Sequence, residues 1–268
     1  MQKRLSIIIP CYNHGEFLAE AVESVRRMRR SDVELIIVDD GSTDDFTRQE
    51  MDRFSAEGVF VIRQKNCGLA AARNAGVCAS HGEYILPLDA DNRIRPDYVT
   101  EGIRILDGSS RIGVVYGDVN YFGTRTGRKR VRPFDKNRLL RWNFLDACAV
   151  YRRIIWEQNK GYDGTMPVQG FEDWDFWLST VENNWQFAYV PRVLFDYRVA
   201  KESMITRASA REVEVKQFVM AKHTKMYSQV WFSIPDPTSF KATAFHAMRL
   251  MTSKIAERTS VASHKLSK

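Results

Sequence analysis

Short β-branched apolar runs alternate with helical stretches through the first hundred residues, and this alternation limits the chain to few folds. Leu5 to Pro10 carries Ile7, Ile8 and Ile9 in succession, which predicts a buried strand. Glu16 to Arg27 then has helical spacing, with Phe17, Ala21, Val22 and Val25 on one side. A second strand is expected from Glu34 to Val38, a helix from about Asp44 to Glu57, and a third strand from Val59 to Arg63. Leu69 to Ala79 is Ala-rich and helical, and Glu83 to Leu88 is a fourth strand. Strand, helix, strand at this interval is the pattern of parallel βαβ units, so the first 100 residues predict a Rossmann-like, nucleotide-binding half of an α/β fold. No G-x-G-x-x-G follows the first strand, which argues against a dinucleotide dehydrogenase.

The remaining sequence is less regular. Val114 to Phe122 predicts another strand, and Arg125 to Arg132 is basic and loop-like. Trp142 to Trp156 is apolar and aromatic, Gly170 to Trp185 predicts a helix opened by acidic residues, and Gln186 to Tyr197 is extended. After Ser203 the chain turns helical and basic, with a break at Pro235-Asp236-Pro237. Phe240, Ala244, Met248, Met251 and Ile255 fall on one helical face beside Lys241, Arg249, Lys254 and Arg258.

Charge follows the same division. The net charge is +7, and residues 205–268 hold eleven Lys/Arg against four Asp/Glu, so the whole excess belongs to the tail. Such asymmetry points to an acidic partner surface, phospholipid or nucleic acid. The tail has no recognisable nucleic-acid reader motif, and the expectation is no nucleic-acid partner. Its apolar stripe fits peripheral contact with an anionic membrane, a second subunit in a homo-oligomer, or packing on the catalytic domain. No apolar run has the length of a transmembrane helix, and no leading segment has signal-peptide order. The four cysteines are scattered, without a C-x-x-C pair, which predicts a reduced, cytoplasmic protein.

Acidic and small residues gather where the strands end. Asp89-Ala90-Asp91-Asn92 follows the fourth strand, and ligands collect at that edge of open α/β sheets. Paired carboxylates there suit a hard divalent cation carrying phosphate, or they form an exposed acidic turn. The first strand leaves through Pro10-Cys11-Tyr12-Asn13, where the Tyr12 ring can stack on a base or cap the sheet. The second leaves through Asp39-Asp40-Gly41-Ser42-Thr43-Asp44. Asp39 and Asp40 can accept from a base or ribose, while Thr43 or Asp44 suits a helix cap. Gly68 to Gly76 opens a helix with small side chains, and Arg73 can pair with a diphosphate or simply lie exposed. Gly170-Phe171-Glu172-Asp173-Trp174-Asp175-Phe176-Trp177 interleaves acids with aromatics, which desolvates the carboxylates and raises their basicity.

Taken in order and spacing, these segments, with Tyr197-Arg198 and Ser203, resemble the family 2 glycosyltransferases over about Leu5 to Met204. The resemblance implies the GT-A fold, a Rossmann-like, mostly parallel mixed sheet flanked by helices. Residues 1–204 would form the transferase domain, 1–100 its nucleotide-binding half and 101–204 its acceptor half, with 205–268 a basic helical extension. It implies an inverting enzyme that uses a nucleotide sugar, a UDP-sugar in the first instance, with Mg2+ or Mn2+. The acceptor would be a hydroxyl of a glycan or lipid-linked molecule in cell-surface polysaccharide synthesis. Pro10, Tyr12, Asn13, Asp39, Asp40, Gly68, Arg73, Asp89 and Ala90 are then the donor-binding residues, and Asp91 with Asp89 the metal ligands. Asp173 would be the catalytic base, Glu172 a second catalytic residue that helps position the acceptor or the donor sugar, and Trp174 a platform under an acceptor sugar. Many relatives have a histidine metal ligand three residues after the tyrosine of Tyr-Arg; here that position is Ala200. The competing readings are a catalytically inactive GT-A scaffold and a nucleic-acid-binding protein using the basic tail.

Overall fold

The computed structural model describes residues 3–200 and 211–231. One compact unit extends to Phe218 and a second begins at Val219. The first contains strands β1 (Leu5–Cys11), β2 (Val33–Asp39), β3 (Phe60–Arg63), β4 (Tyr84–Pro87) and β5 (Arg93–Ile94), with helices α1 (Gly15–Arg26), α2 (Asp45–Ala56) and α3 (Leu69–Ala79) between them. Then come α4 (Pro96–Asp107), β6 (Ile112–Gly123), β7 (Gly127–Lys129), α5 (Lys136–Arg141), β8 (Val150–Arg152), α6 (Arg153–Asn159), α7 (Glu172–Glu182) and β9 (Gln186–Val199). Helix α8 (Glu212–Lys222) crosses the unit boundary and α9 (Thr224–Trp231) lies beyond it.

The strands form one mixed sheet in the order β3-β2-β1-β4-β8-β6-β9-β5, with β7 paired to β6. β1 is parallel to both β2 and β4, and β2 to β3. The long β6–β9 ladder is also parallel. All seven residues of β1 are buried, as its unbroken apolar run requires. Because these strands run the same way, β1, β2 and β4 deliver their exits to one edge. Cys11 lies beside Asp39, and Leu88 N–H donates to Ile8 O at 2.9 Å. Helix α3 lies close against β1 because residue 76 is glycine. A Cβ there would stand 2.2 Å from Ile8 Cγ2 and 3.2 Å from Val38 Cγ2. This contact seats Arg73, one turn earlier on α3, near the strand ends.

The four early strands and three early helices form where the sequence predicts them. Asp44 caps α2, accepting from Thr47 N at 2.7 Å. The segment Arg125–Arg132, expected to be a loop, instead contains β7, whose residues pair antiparallel with Val119 to Tyr121. The aromatic stretch Trp142–Trp156 holds β8 and the start of α6. Helix α4 was not predicted, although Pro96 at its first turn and buried Tyr98, Val99, Ile103 and Leu106 mark it. No helix among the described residues is long and apolar enough to cross a membrane. Ser203, the Pro235–Pro237 break and the Phe240–Ile255 stripe lie outside the described residues.

Candidate active site

The exits of β1 and β2 are stitched together by side chains. Asn13 takes a left-handed backbone, φ 53°. Its Oδ1 accepts from Thr43 N at 2.7 Å and Asp44 N at 3.2 Å, while Nδ2 donates to Thr43 Oγ1 at 3.0 Å. Asp39 is buried and accepts from Ser42 N at 2.9 Å. Asp40, also buried, accepts from Gln64 Nε2 at 2.7 Å, Cys67 N at 2.9 Å and Gly68 N at 2.8 Å. Its carboxylate therefore fixes the loop that leads into α3. Gly68 itself has φ 89°, a backbone open to glycine at little cost. Tyr12 keeps 44% of its surface exposed, so its ring is open to stacking, whereas Pro10 is buried in β1.

A second group gathers around β4, α3 and α7. Arg73 is 2% exposed. Its Nη2 donates to Asp89 Oδ1 at 2.8 Å and its Nη1 to Glu172 Oε1. Burial opposes the guanidinium charge, but Asp89 and Glu172 outweigh it and hold the group above its usual range. The other Glu172 oxygen accepts from Gly170 N at 2.8 Å. Asp173, the second residue of α7, lies beside it and accepts from Trp174 N at 2.9 Å. Burial first, then the Glu172 charge, push the Asp173 carboxyl well above the ordinary aspartate value, while Arg73 opposes the shift.

Ala90 is buried, and Asp91 is pushed up to about 7, by burial first and by Asp89 second. β9 braces this turn. Arg198 N donates to Asn92 Oδ1 at 2.9 Å and Arg198 Nε to Asp91 O at 3.2 Å. Bringing two carboxylates together this way costs energy that a bound cation would relieve. Among the described residues no group of three His, Cys, Asp or Glu could enclose a metal, and Ala200 is exposed. Asp89 and Asp91 are the carboxylates of this turn that could hold a divalent cation.

Residues 6–169 match the model of glycosyl transferase family 2. The chain belongs to that family. It is 33% identical to glycosyltransferase GlyG of Streptococcus pneumoniae over 138 residues, 48% of this chain and 46% of GlyG. The chain spans about half the length of that curated relative or less of others. Among solved structures it resembles S. aureus TarS in complex with UDP-GlcNAc, at TM-score 0.64 and 17% identity, covering 91% of this chain and 79% of that one. It also resembles the Pyrobaculum calidifontis mannosyltransferase PcManGT in complex with GDP-Man and Mn2+, at TM-score 0.65 and 18% identity, covering 100% and 82%. At these identities the likeness establishes the fold, GT-A.

Within this family 2 member, one expectation, for Trp174, meets a different geometry. Trp174 is completely buried, its Nε1 donating to Leu139 O at 2.7 Å and its indole packed near Trp142 and Phe171. It offers no open face to a sugar, because the first turn of α7 turns its aromatics into the core. Arg73, expected to face a diphosphate, is enclosed by two carboxylates. Sequence reading also passed over Asp146, Asn143, Gln169 and Tyr197 as individual residues. Burial, then Asp89, push Asp146 up to about 6. Asn143 is among the groups that hold the Asp173 carboxyl down against the push of burial. Gln169 accepts from Leu69 N at 3.2 Å, closing the segment before α7 onto the start of α3. Tyr197 has its phenol held high by burial and by Asp146, Asp89 and Asp91. Only Tyr197, inside the Tyr-Arg signature, carried a sequence signal.

Proposed function

We propose that this chain is an inverting glycosyltransferase that moves a sugar from a nucleoside-diphosphate donor to a hydroxyl of a glycan or lipid-linked acceptor in cell-surface polysaccharide synthesis. The observation that carries the reading is the Arg73 bridge, which joins the β4 strand-end aspartate to the first turn of α7. It brings a donor-side acid and a buried, basic Asp173 to the same edge of the sheet. Family membership and the donor complexes of TarS and PcManGT support a nucleotide sugar, with UDP the first base to test. A catalytically inactive scaffold is disfavoured because the acidic positions expected of the family are all kept in the sequence.

In this reading Tyr12 stacks on the base, and Asn13, Asp39 and Asp40 shape its pocket, Asp40 by holding the 64–68 loop. Asp91 and Asp89 would hold Mg2+ or Mn2+, which neutralises the leaving diphosphate when bound. Asp173 takes the proton from the acceptor hydroxyl as that oxygen bonds the anomeric carbon. The anomeric bond to the donor phosphate oxygen breaks on the opposite face, and its electrons leave with the diphosphate. General-base assistance of this kind is typically worth about 10²–10⁴-fold. Glu172 and Arg73 position Asp173 and Asp89 without touching the reacting atoms.

Thermal-shift measurement against nucleotide sugars with Mn2+, followed by NMR of the product anomer, tests the proposal. Stabilisation by one nucleotide family and an inverted product are expected. No nucleotide shift at millimolar concentration, or a retained anomer, refutes it.

A further inference from the structure

The segment from Arg125 to Arg141 holds eight Lys/Arg and one acid, Asp135. That acid is already engaged in capping α5, accepting from Asn137 N and Arg138 N. Elsewhere on the described fold arginines commonly pair with carboxylates, as at Arg4, Arg53, Arg63, Arg95 and Arg104. Arg125, Lys129, Arg130 and Arg132 make no ion pair among the described residues. The cluster is therefore not a self-neutralised surface. Four like charges held on one short hairpin repel one another, and an external anion would relieve that repulsion.

The hairpin backbone is built in and does not depend on those four side chains. Arg128, at its centre, donates to Asp118 Oδ2 at 2.6 Å and to Pro191 O at 2.8 Å. Asp118 is fully buried and also accepts from Val131 N at 2.8 Å and Tyr189 Oη at 2.6 Å. Phe134, just beyond, stacks on Phe187 with ring centroids 4.2 Å apart.

The hairpin also borders the acids. Lys129 pairs with Val119, two residues before Tyr121 on the same face of β6, and Tyr121 lies beside Tyr197 in the β6–β9 ladder. The two tyrosine rings meet edge to face at 5.9 Å, and Arg125 sits over Tyr121 at 4.9 Å. Tyr197 is the side chain influenced by Asp146, Asp89 and Asp91. Lys129 is among the charges that act on Asp146. The basic hairpin thus adjoins Tyr121, which meets Tyr197, the tyrosine that Asp146, Asp89 and Asp91 influence.

We infer that Arg125, Lys129, Arg130 and Arg132 form an acceptor subsite for a polyanionic glycan, engaging phosphodiester or carboxylate groups one or more units from the reacting hydroxyl. The inference rests on the glycosyltransferase reading and narrows its acceptor class.

The test uses the full chain and two probes of matched length, an oligomer of glycerol units joined by phosphodiesters and a neutral dextran oligomer. Binding is measured across a salt series for the wild type, for Lys129→Ser/Arg130→Ser/Arg132→Ser, and for the equal-charge control Arg27→Ser/Arg63→Ser/Arg104→Ser. The phosphodiester oligomer should bind in a salt-dependent manner and weaken by roughly tenfold in the hairpin variant, with a shallower salt slope. The control variant should match the wild type. Equal loss in both variants, unchanged binding in the hairpin variant, or equal affinity for dextran overturns the subsite. Tighter binding to vesicles of phosphatidylglycerol at matched phosphate, lost in the hairpin variant, also overturns it and makes the hairpin a membrane contact. A thermal shift with nucleotide and Mn2+ in the same preparation separates the two readings. If that shift is present while the oligomer fails to bind, only the acceptor inference falls.

Discussion

Replacing Arg73 by methionine separates charge from volume at the centre of the candidate site. The unbranched side chain fills much of the same space but removes the guanidinium from between Glu172 and Asp89. The two partners differ in exposure, Glu172 at 3% and Asp89 at 33% of the side chain. Removing one member of a buried pair costs about 3–5 kcal/mol, because the remaining charge is left uncompensated. The partly exposed Asp89 pair adds at most about 1 kcal/mol. A loss near 4 kcal/mol at pH 8 is therefore expected, which moves a urea midpoint by roughly 1.5 M for a domain of this size. As pH falls, an unpaired buried carboxylate takes up a proton in the folded state, so the loss should shrink by pH 4.5. Arg73→Lys should fall between, since it keeps the charge but not the two-armed geometry. Adding Glu172→Gln to Arg73→Met should recover much of the loss by removing the orphaned charge. Urea denaturation of the four proteins at both pH values decides. A loss under about 1 kcal/mol at pH 8, or a double variant no better than the single one, would refute the buried-bridge reasoning.

Further outcomes follow from the same geometry. Asp173→Asn should retain nucleotide binding by thermal shift and lose about 10²–10⁴-fold in transfer, and wild-type transfer would remove Asp173 as the base. Nucleotide stabilisation should need a divalent ion and strengthen from pH 6 to 8, because protons compete for Asp91, at about 7; Asp91→Ala should abolish the metal effect, and calorimetry with and without EDTA checks this. Without metal, the raised Asp91 value means the folded state binds the extra proton, so its stabilising contribution is full below the unfolded aspartate value and is lost as pH rises through about 7. Asp91→Asn should consequently raise the melting temperature at pH 8 and change it little at pH 4, and a destabilised variant at pH 8 would contradict that sign. Gly76→Ala would press a methyl to 2.2 Å from Ile8 Cγ2 and should destabilise by about 1–3 kcal/mol in the same urea assay.

The first hundred residues were legible because β1, β2 and β4 are apolar runs and the acids lie at or just after the ends of β2 and β4. The parallel register that follows is enough to bring Tyr12, Asp39 and Asp89 to one edge. Strands β5 and β8, with two and three residues, are too short to show a period. The basic residues of β7 gave its segment the composition of a loop, and its strand state depends on pairing with β6. Arg73 illustrates a deeper limit. Its sequence context, a small-residue helix, is equally compatible with an exposed cation, and its principal partner is supplied by α7. Trp174 was misjudged because alternating acids and aromatics do not disclose which ones face the core at the start of a helix. Asp146 sits inside an aromatic run with no motif around it, so only the folded arrangement reveals its acidic neighbours.

The Arg73 bridge also bears on the order in which the protein becomes competent. Arg73 and Asp89 are 16 positions apart, so that contact closes a short loop early in assembly. Arg73 and Glu172 are 99 positions apart, and their contact awaits docking of the later strands and α7. A chain with β1 to β4 and α3 in place but α7 not yet docked therefore holds Arg73 with only one of its two carboxylates. Pulsed hydrogen exchange during refolding should protect β1, β2 and β4 before α7, with activity returning only in the later phase. The charge bridge thus ties together two stretches of chain that reach each other at different stages of folding.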